Sequence, residues 1–342
     1  MSKKRVTSQD VANLAGVSRT TVSFILNDDK RFSFTPQTRQ KVLNAAETLD
    51  YVPNASAQAL ATSRAKAIGL IMTRSPQYIS SDTFLPQIIG GLLDVVKQYK
   101  LGLLIEWVQP GQQLRIYREL VHAKHIDGMI LLTPRLDDEG LRELEDFDIP
   151  AVLMGDLPES TLYSVDIDNR LAAESAVNYL LGLGHTSIAC ITNAPLSFSS
   201  ANDRLQGYKD ALLKAGIKPN EKLVRYADFD PNSGYKSVKS LLANQVPFTA
   251  AFIASDNIVI GAKSALIEAG LRIPEDVSIV GFDNIPWAKY SDPPLTTVHM
   301  PAEKLAQSAC FMLMDLMQGK DPKTKHLRLD SELIIRQSCR KI

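Results

Sequence analysis

Cysteine is scarce in this chain of 342 residues, and the three that occur, Cys190, Cys310 and Cys339, are widely spaced. An odd, scattered set argues against a disulfide framework or a compact zinc module and suits a reducing compartment. Histidine is nearly as rare, at His122, His125, His185, His299 and His326. His122 and His125 stand three apart on a helical stretch, where such a pair is more often solvated than metal-bound. No metal and no cofactor is expected. No apolar run approaches the ~20 residues needed to cross a bilayer. After the basic start Met1–Arg5 come Thr7, Ser8, Gln9 and Asp10 instead of an apolar stretch, so no secretory leader is expected and the cytoplasm is the expected location.

Catalytic signatures are missing too. There is no phosphate-binding P-loop, no HExxH and no nucleophile elbow. The stretch Gly182-Leu183-Gly184-His185-Thr186-Ser187 partly resembles a dinucleotide loop, but it follows a helix and precedes a strand, the reverse of the required order. Helix termination explains it better, and no enzymatic activity is expected.

Net charge is zero, with 38 Lys and Arg against 38 Asp and Glu. Residues 1–66 nevertheless hold ten basic and five acidic side chains, a balance of +5, and the remainder holds 28 against 33, a balance of −5. A basic head on an acidic body suits a nucleic-acid partner, although many solvated surfaces look alike.

That head reads as three short helices. Thr7 followed by Asp10 forms a capping box for Ser8–Ala15, and Gly16 ends the helix. Ser18 caps Arg19–Asn27, and Thr35-Pro36 opens a third helix running to about Leu49. Val11, Leu14, Ala15, Val17, Val22, Ile25, Leu26, Val42, Leu43 and Ala46 supply one small core. Two helices joined by a turn at Gly16 fit a helix-turn-helix, whose second helix enters the major groove. Arg19 and Thr20 would then reach base edges, while Ser18 and Thr21 suit phosphates. The same pattern also serves a three-helix bundle used for protein contacts.

Beyond the alanine-rich segment 53–60 and a linker to residue 66, β-runs alternate with amphipathic helices. About ten strands from Ile68 to Met300 imply parallel sheets with helices on both faces, divided between two lobes with a cleft between them. Several runs end in polar residues: Thr133, Asp156, Asp168, Asn193, Ser255-Asp256 and Asp283-Asn284. Ligands of open parallel sheets bind beyond the carboxyl ends of strands, so these side chains are candidates to line the cleft. For Asp168 and Asp256, capping the next helix is an equal alternative.

Asp10-Val11-Ala12 through Val22-Ser23, Tyr51-Val52-Pro53-Asn54-Ala55, Gly184-His185, Arg204-Leu205-Gln206-Gly207-Tyr208, Ser278 through Asn284 and Pro294 through Val298 stand in collinear order. On these strings the whole chain resembles the lactose-repressor (LacI/GalR-type) family of bacterial transcriptional regulators. The resemblance implies a helix-turn-helix head at 1–50, a hinge helix and linker at 51–66, and a periplasmic-binding-protein-like α/β body at 67–342. The lobes would be 67–168 with 299–330, and 169–298 with 331–342. It implies DNA contacts at Ser18, Arg19, Thr20, Thr21, Phe24 and Asn27, with Lys3, Lys4 and Arg5 adding charge. Along the hinge it implies Asn54, Ala57 and Leu60, the last wedged between base pairs from the minor groove; a plain linker is the alternative. Phe24 departs from the usual hydrogen-bonding residue there, leaving either contact with a thymine methyl or a place in the head's core.

In the body the resemblance picks out Asp156, Ser200, Arg204, Phe229 and Asp283 as effector contacts, with Ser75, Phe84 and Asp256 behind them. Arg204 and Asp283 suit neighbouring hydroxyls, and Phe229 suits the apolar face of a ring, so a sugar or other polyol is expected. Arg74 and Arg135 leave room for a phosphate or carboxylate, or are surface residues. The expected partners are a palindromic double-stranded operator, a small sugar-like effector and a second copy of the chain, with no membrane. No leucine heptad follows Ile334-Ile335, which favours a dimer over a tetramer. The implied protein is a nucleoid-associated repressor. Regulation through a phosphorylated carrier protein, or a sugar-binding module with no regulatory task, are the alternatives.

Overall fold

The computed structural model describes residues 6–27, 32–52, 64–73, 79, 82–147 and 149–342. The chain divides into two compact units, Met1–Lys66 and Ala67–Ile342.

In the first unit, Thr7 opens α1 (Ser8–Ala15) with a reciprocal cap: its hydroxyl accepts the Asp10 amide, and the Asp10 carboxylate accepts the Thr7 amide at 2.8 Å. Gly16 closes the helix at φ 67°, a conformation that costs a residue with a side chain ~1–2 kcal/mol. Ser18 accepts the Thr21 amide at 3.0 Å and starts α2 (Arg19–Leu26). Thr35 and Pro36 start α3 (Pro36–Thr48). Val11, Ala12, Val22, Ile25, Val42, Ala45 and Ala46 form the core, flanked by Phe34, Leu49 and Tyr51. Leu14 and Leu43, expected in that core, are exposed. The packed face of α3 runs through Val42, Ala45, Ala46 and Leu49 at helical spacing, which turns Leu43 outward.

The second unit is built on two six-stranded sheets. The strands are β1 (Ala67–Met72), β2 (Gly102–Trp107), β3 (Gly128–Leu132), β4 (Ala151–Met154), β5 (Tyr163–Ile167) and β6 (Ile188–Ile191). Then follow β7 (Val224–Arg225), β8 (Ala250–Ile253), β9 (Ser278–Asp283), β10 (Thr296–His299), β11 (His326–Leu329) and β12 (Glu332–Ile334). The first sheet has the order β11-β5-β4-β3-β1-β2 and every pairing is parallel. The second has the order β12-β10-β9-β8-β6-β7 and is parallel except for β12, which runs antiparallel to β10. Central strands such as β3, β6 and β8 are buried along their whole length, which is why they read as continuous apolar runs without alternation. The short edge strands β11 and β12 were not anticipated; their residues are half-buried or exposed.

The chain passes between the sheets through the helices Asn169–Gly182 and Ala302–Met317 and through the β11–β12 turn. One apolar cluster contains Ile68 and Leu70 of the first sheet, Ile188 and Phe252 of the second, and Ala176 and Ala309 of the two connecting helices. The lobes therefore share a core at their junction, and the carboxyl ends of both sheets face one cleft.

Candidate functional site

On the head, the buried side of α2 carries Val22 and Ile25, and Arg19 and Thr20 are exposed. The Ser18 and Thr21 hydroxyls lie 2.9 Å apart, and Arg19 Nε donates to Ser8 Oγ at 3.1 Å, tying α2 to α1. Asn27 donates to Ser23 Oγ at 3.3 Å. Phe24 takes no part in the core; its ring stacks on Phe32 with centroids 4.0 Å apart. Lys3, Lys4, Arg5, Asn54, Ala57 and Leu60 lie outside the described residues, as do Arg74 and Ser75 of the body.

In the body, the cleft is lined from the first lobe by Asp82, Phe84, Thr133, Gly155 and Asp166, and from the second by Asn193, Ser200, Arg204, Phe229, Ser255, Asn257 and Asp283, among others. Several lie where strands end, as the topology of open parallel sheets requires. The backbone there is held in unusual conformations, with φ 54° at Thr133, 58° at Phe229 and 110° at Asp283. Such residues cost ~1–3 kcal/mol each and persist where surrounding contacts over-determine them. At Phe229 those contacts are visible: its amide donates to Asn193 O at 2.9 Å, and its carbonyl accepts Asn257 Nδ2 at 2.8 Å.

Arg204 stands at the centre of the site. Its Nε donates to Asn169 Oδ1 at 2.9 Å and its Nη1 to Ala254 O at 2.7 Å. Nη2 approaches Met300 Sδ, and the guanidinium sits 3.7 Å over the Phe282 ring. Asp283 Oδ1 lies 3.5 Å from Nη1, while its Oδ2 accepts the Ser255 hydroxyl at 2.9 Å. Burial pushes the Asp283 carboxyl up to about 6, against the pull of Arg204 and the Ser255 hydroxyl. Asp166 is likewise pushed up to about 6 by burial, opposed by the Ile167 amide, Arg204 and Asn169.

Phe84, Ser200, Arg204, Phe229 and Asp283 are thus brought together. Asp156 and Asp256 are not. Gly155, at φ 123°, ends β4 and faces the cleft; Asp156 beyond it pairs with Arg328 of β11. Asp256 is fully buried beneath the cleft, its Oδ1 accepting the Thr297 hydroxyl at 2.7 Å and its Oδ2 the Ile285 amide at 3.0 Å. Gly281 makes this possible, because a Cβ there would lie 2.1 Å from Asp256 Oδ1. Burial, and then Asp283, hold the Asp256 carboxyl well above its ordinary range. Asp168 caps the helix Asn169–Gly182 through the Leu171 amide. Arg135 forms a two-point pair with Asp137 and lies over the Phe198 ring; it does not line the cleft.

Sequence reasoning missed Asp82, Asp166, Asn169, Ser199 and Asn257. The visible signal for Asp166 was a carboxylate inside the apolar run Ser164-Val165-Asp166-Ile167. One contact across the cleft also went unforeseen: Leu136 N donates to Ser197 O at 2.7 Å and Ser199 N to Pro134 O at 3.3 Å, joining the lobes by backbone. Behind this strap, Phe198 meets Phe229 edge-on at 5.0 Å.

A profile described as bacterial regulatory proteins, lacI family, matches residues 7–54, and one described as a periplasmic binding protein-like domain matches residues 177–339. The HTH-type transcriptional repressor CytR of Escherichia coli is 36% identical over 338 residues, covering 98% of this chain and 96% of the relative. The chain belongs to the lacI family. The HTH-type transcriptional regulator CelR of Thermobifida fusca is 33% identical over 339 residues, covering 98% and 99% of the two chains. Among solved structures, the lac repressor dimer bound to operator and the anti-inducer ONPF matches with a TM-score of 0.84 at 29% identity, covering 98% and 99% of the two chains. The CelR–cellobiose complex matches with a TM-score of 0.75 at 32% identity, covering 98% and 100%. This lacI-family chain is a DNA-binding transcriptional regulator and not an enzyme.

Proposed function

We propose that the cleft takes an uncharged, sugar-sized polyol and that its occupancy sets how tightly a homodimer holds a palindromic operator. The observation that carries this reading is a pair of buried amide oxygens, Asn193 Oδ1 and Asn257 Oδ1, which belong to residues lining the cleft and have no hydrogen-bond partner among the described residues. A buried acceptor left unpaired costs ~1–3 kcal/mol, and a ligand that donates to it recovers that loss. Asp283 and Asp166 add acceptors, whereas each guanidinium nitrogen of Arg204 already has a partner. The cleft therefore asks for donors, which hydroxyl groups supply. A phosphate or carboxylate would meet Asp82, Asp166 and Asp283 against Arg204 alone among the described lining residues. Phe84 and Phe229 offer apolar faces to the carbon skeleton of a ring. Cellobiose in the related CelR supports a sugar.

On this reading the protein works in the cytoplasm, on the nucleoid. Ser18, Arg19, Thr20, Thr21, Phe24 and Asn27 meet the major groove, and the segment with Asn54, Ala57 and Leu60 forms a hinge meeting the minor groove. The operator-bound lac repressor dimer supports two copies on one site. Lobe closure on the effector is the coupling step, with Leu136, Ser197 and Ser199 joining the lobes on one side.

The test is a thermal-shift screen of uncharged mono- and disaccharides, cellobiose included, beside their phosphates and a set of nucleobases. The reading expects an uncharged sugar to stabilise the body, by ~2.7 kcal/mol at a hundredfold excess over Kd. Stabilisation by nucleobases alone would overturn it. Calorimetry on Asn257→Ala then connects binding to the carrying observation: affinity falls about tenfold for one lost buried hydrogen bond of ~1.4 kcal/mol.

A further inference from the structure

The stripe of α2 farthest from the head's core runs through Thr20 and Phe24, one above the other on the helix, towards the C-cap residue Asn27. Val22 and Ile25 occupy the opposite side and are buried. A phenylalanine in the middle of that outward stripe is unexpected on a surface that reads bases. It is half-buried, and the Phe32 ring stacks on it at 4.0 Å with planes 15° apart, while Phe32 itself stays 45% exposed. Neither ring belongs to the head's apolar cluster. The stack is thus a separate apolar plate on the outer side of α2.

We propose that Phe24, braced by Phe32, reads the C5-methyl group of a pyrimidine in each operator half-site, a thymine in unmodified DNA. This rests on α2 being the base-reading helix. A phenyl ring offers no donor or acceptor, so it cannot use the hydrogen-bonding code of the major groove; the thymine methyl is the apolar group that the groove presents. Phe32 does for Phe24 what second contacts do for any recognition side chain: it holds the ring in place before DNA arrives, so little rotamer freedom is lost on binding. Thr20, one turn earlier on the same stripe, reads the neighbouring base.

The full-length protein is first used to select operators from a random duplex library. Each thymine of a selected site is then replaced, one position at a time, by deoxyuridine, which differs only by the methyl. Burial of one such group is worth about fourfold in affinity, so one position per half-site should lose about fourfold, and both together about fifteenfold. At that position 5-methylcytosine opposite guanine should bind better than cytosine opposite guanine, which separates the methyl from the base pair. Phe24→Ala should erase the thymine–uracil ratio, and Phe32→Ala should reduce it without touching the base. Because the readout is a ratio within one variant, a general loss of affinity or of head stability does not imitate it. A thymine–uracil ratio unchanged in Phe24→Ala, or no position at which the two bases differ, overturns the proposal. If Thr20→Ala still alters the selected sequence in that case, α2 remains the reading helix and only the role of Phe24 falls. If neither substitution alters selection, the assignment of α2 falls with it.

Discussion

Asp256 offers a sharp contrast between two substitutions at one atom position. The carboxyl is fully buried, accepts the Thr297 hydroxyl and the Ile285 amide, and is held well above its ordinary range by burial and by Asp283. That shift favours the protonated form, in which the Oδ1 hydroxyl can donate to Thr297 Oγ1, reversing the bond that the carboxylate accepts, while Oδ2 still accepts from Ile285. Asparagine reproduces that pattern, with Nδ2 donating to Thr297 and Oδ1 accepting from Ile285, so Asp256→Asn should lie within ~1 kcal/mol of the parent. Asp256→Ala removes both partners and leaves a buried amide and hydroxyl unmatched at ~1–3 kcal/mol each, plus a void; a loss of ~3 kcal/mol is expected. At ~2 °C per kcal/mol for a domain of this size, the body's melting transition should fall by ~6 °C in Asp256→Ala and by ~2 °C or less in Asp256→Asn. Differential scanning calorimetry of the full chain at pH 7 reads both. Equal losses would refute the argument, because they would mean that the negative charge itself holds the cleft floor. Loss of effector binding in Asp256→Asn would return the residue to the effector site.

Asp166 and Asp283 have folded values raised to about 6. The stability linked to a raised carboxyl is fully present below its unfolded value of ~4 and is lost as pH rises through the folded value. Asp166→Asn should therefore gain on the parent between pH 4 and 7, by up to ~3 kcal/mol, and a parallel pair of stability–pH curves would contradict the assignment. Gly281→Ala forces a methyl against Asp256 Oδ1 and should cost ~1–3 kcal/mol, measured as a lower melting temperature of the body. In the head, Ser18→Ala removes the acceptor of the Thr21 amide and should destabilise it by ~1 kcal/mol in urea unfolding, with the body transition unmoved.

The head was legible because its signals are local. Thr7 with Asp10, Gly16, Ser18 and Thr35-Pro36 each act within one turn of chain. Leu14 and Leu43 were misplaced because which face of a helix is buried depends on how three helices meet, and amphipathic spacing alone leaves room for a neighbour to rotate out. In the body, apolar runs identified the central strands, and polar residues at their ends pointed to the cleft. Asp156 failed that rule by a single residue: Gly155 takes the cleft-facing place, and Asp156 turns to Arg328, a partner supplied by β11 from far along the chain. Asp256 failed because its surroundings lie below the cleft, where Gly281 leaves space that no pattern within residues 250–270 records. Asn257 carried no strand-end signal, since it sits inside the first turn of a helix. Strands β11 and β12 were invisible for a related reason: edge strands of three or four residues owe their pairing to partners already in place.

The most direct measurement is the operator affinity of the full chain, by fluorescence anisotropy, with and without a saturating uncharged sugar, in the parent and in Asp283→Ala. The account predicts a change of about 5- to 150-fold on adding sugar to the parent and none in the variant, whose affinity without sugar matches the parent's. A sugar that binds the parent yet leaves its hold on DNA unchanged, or equal responses in both proteins, would contradict it.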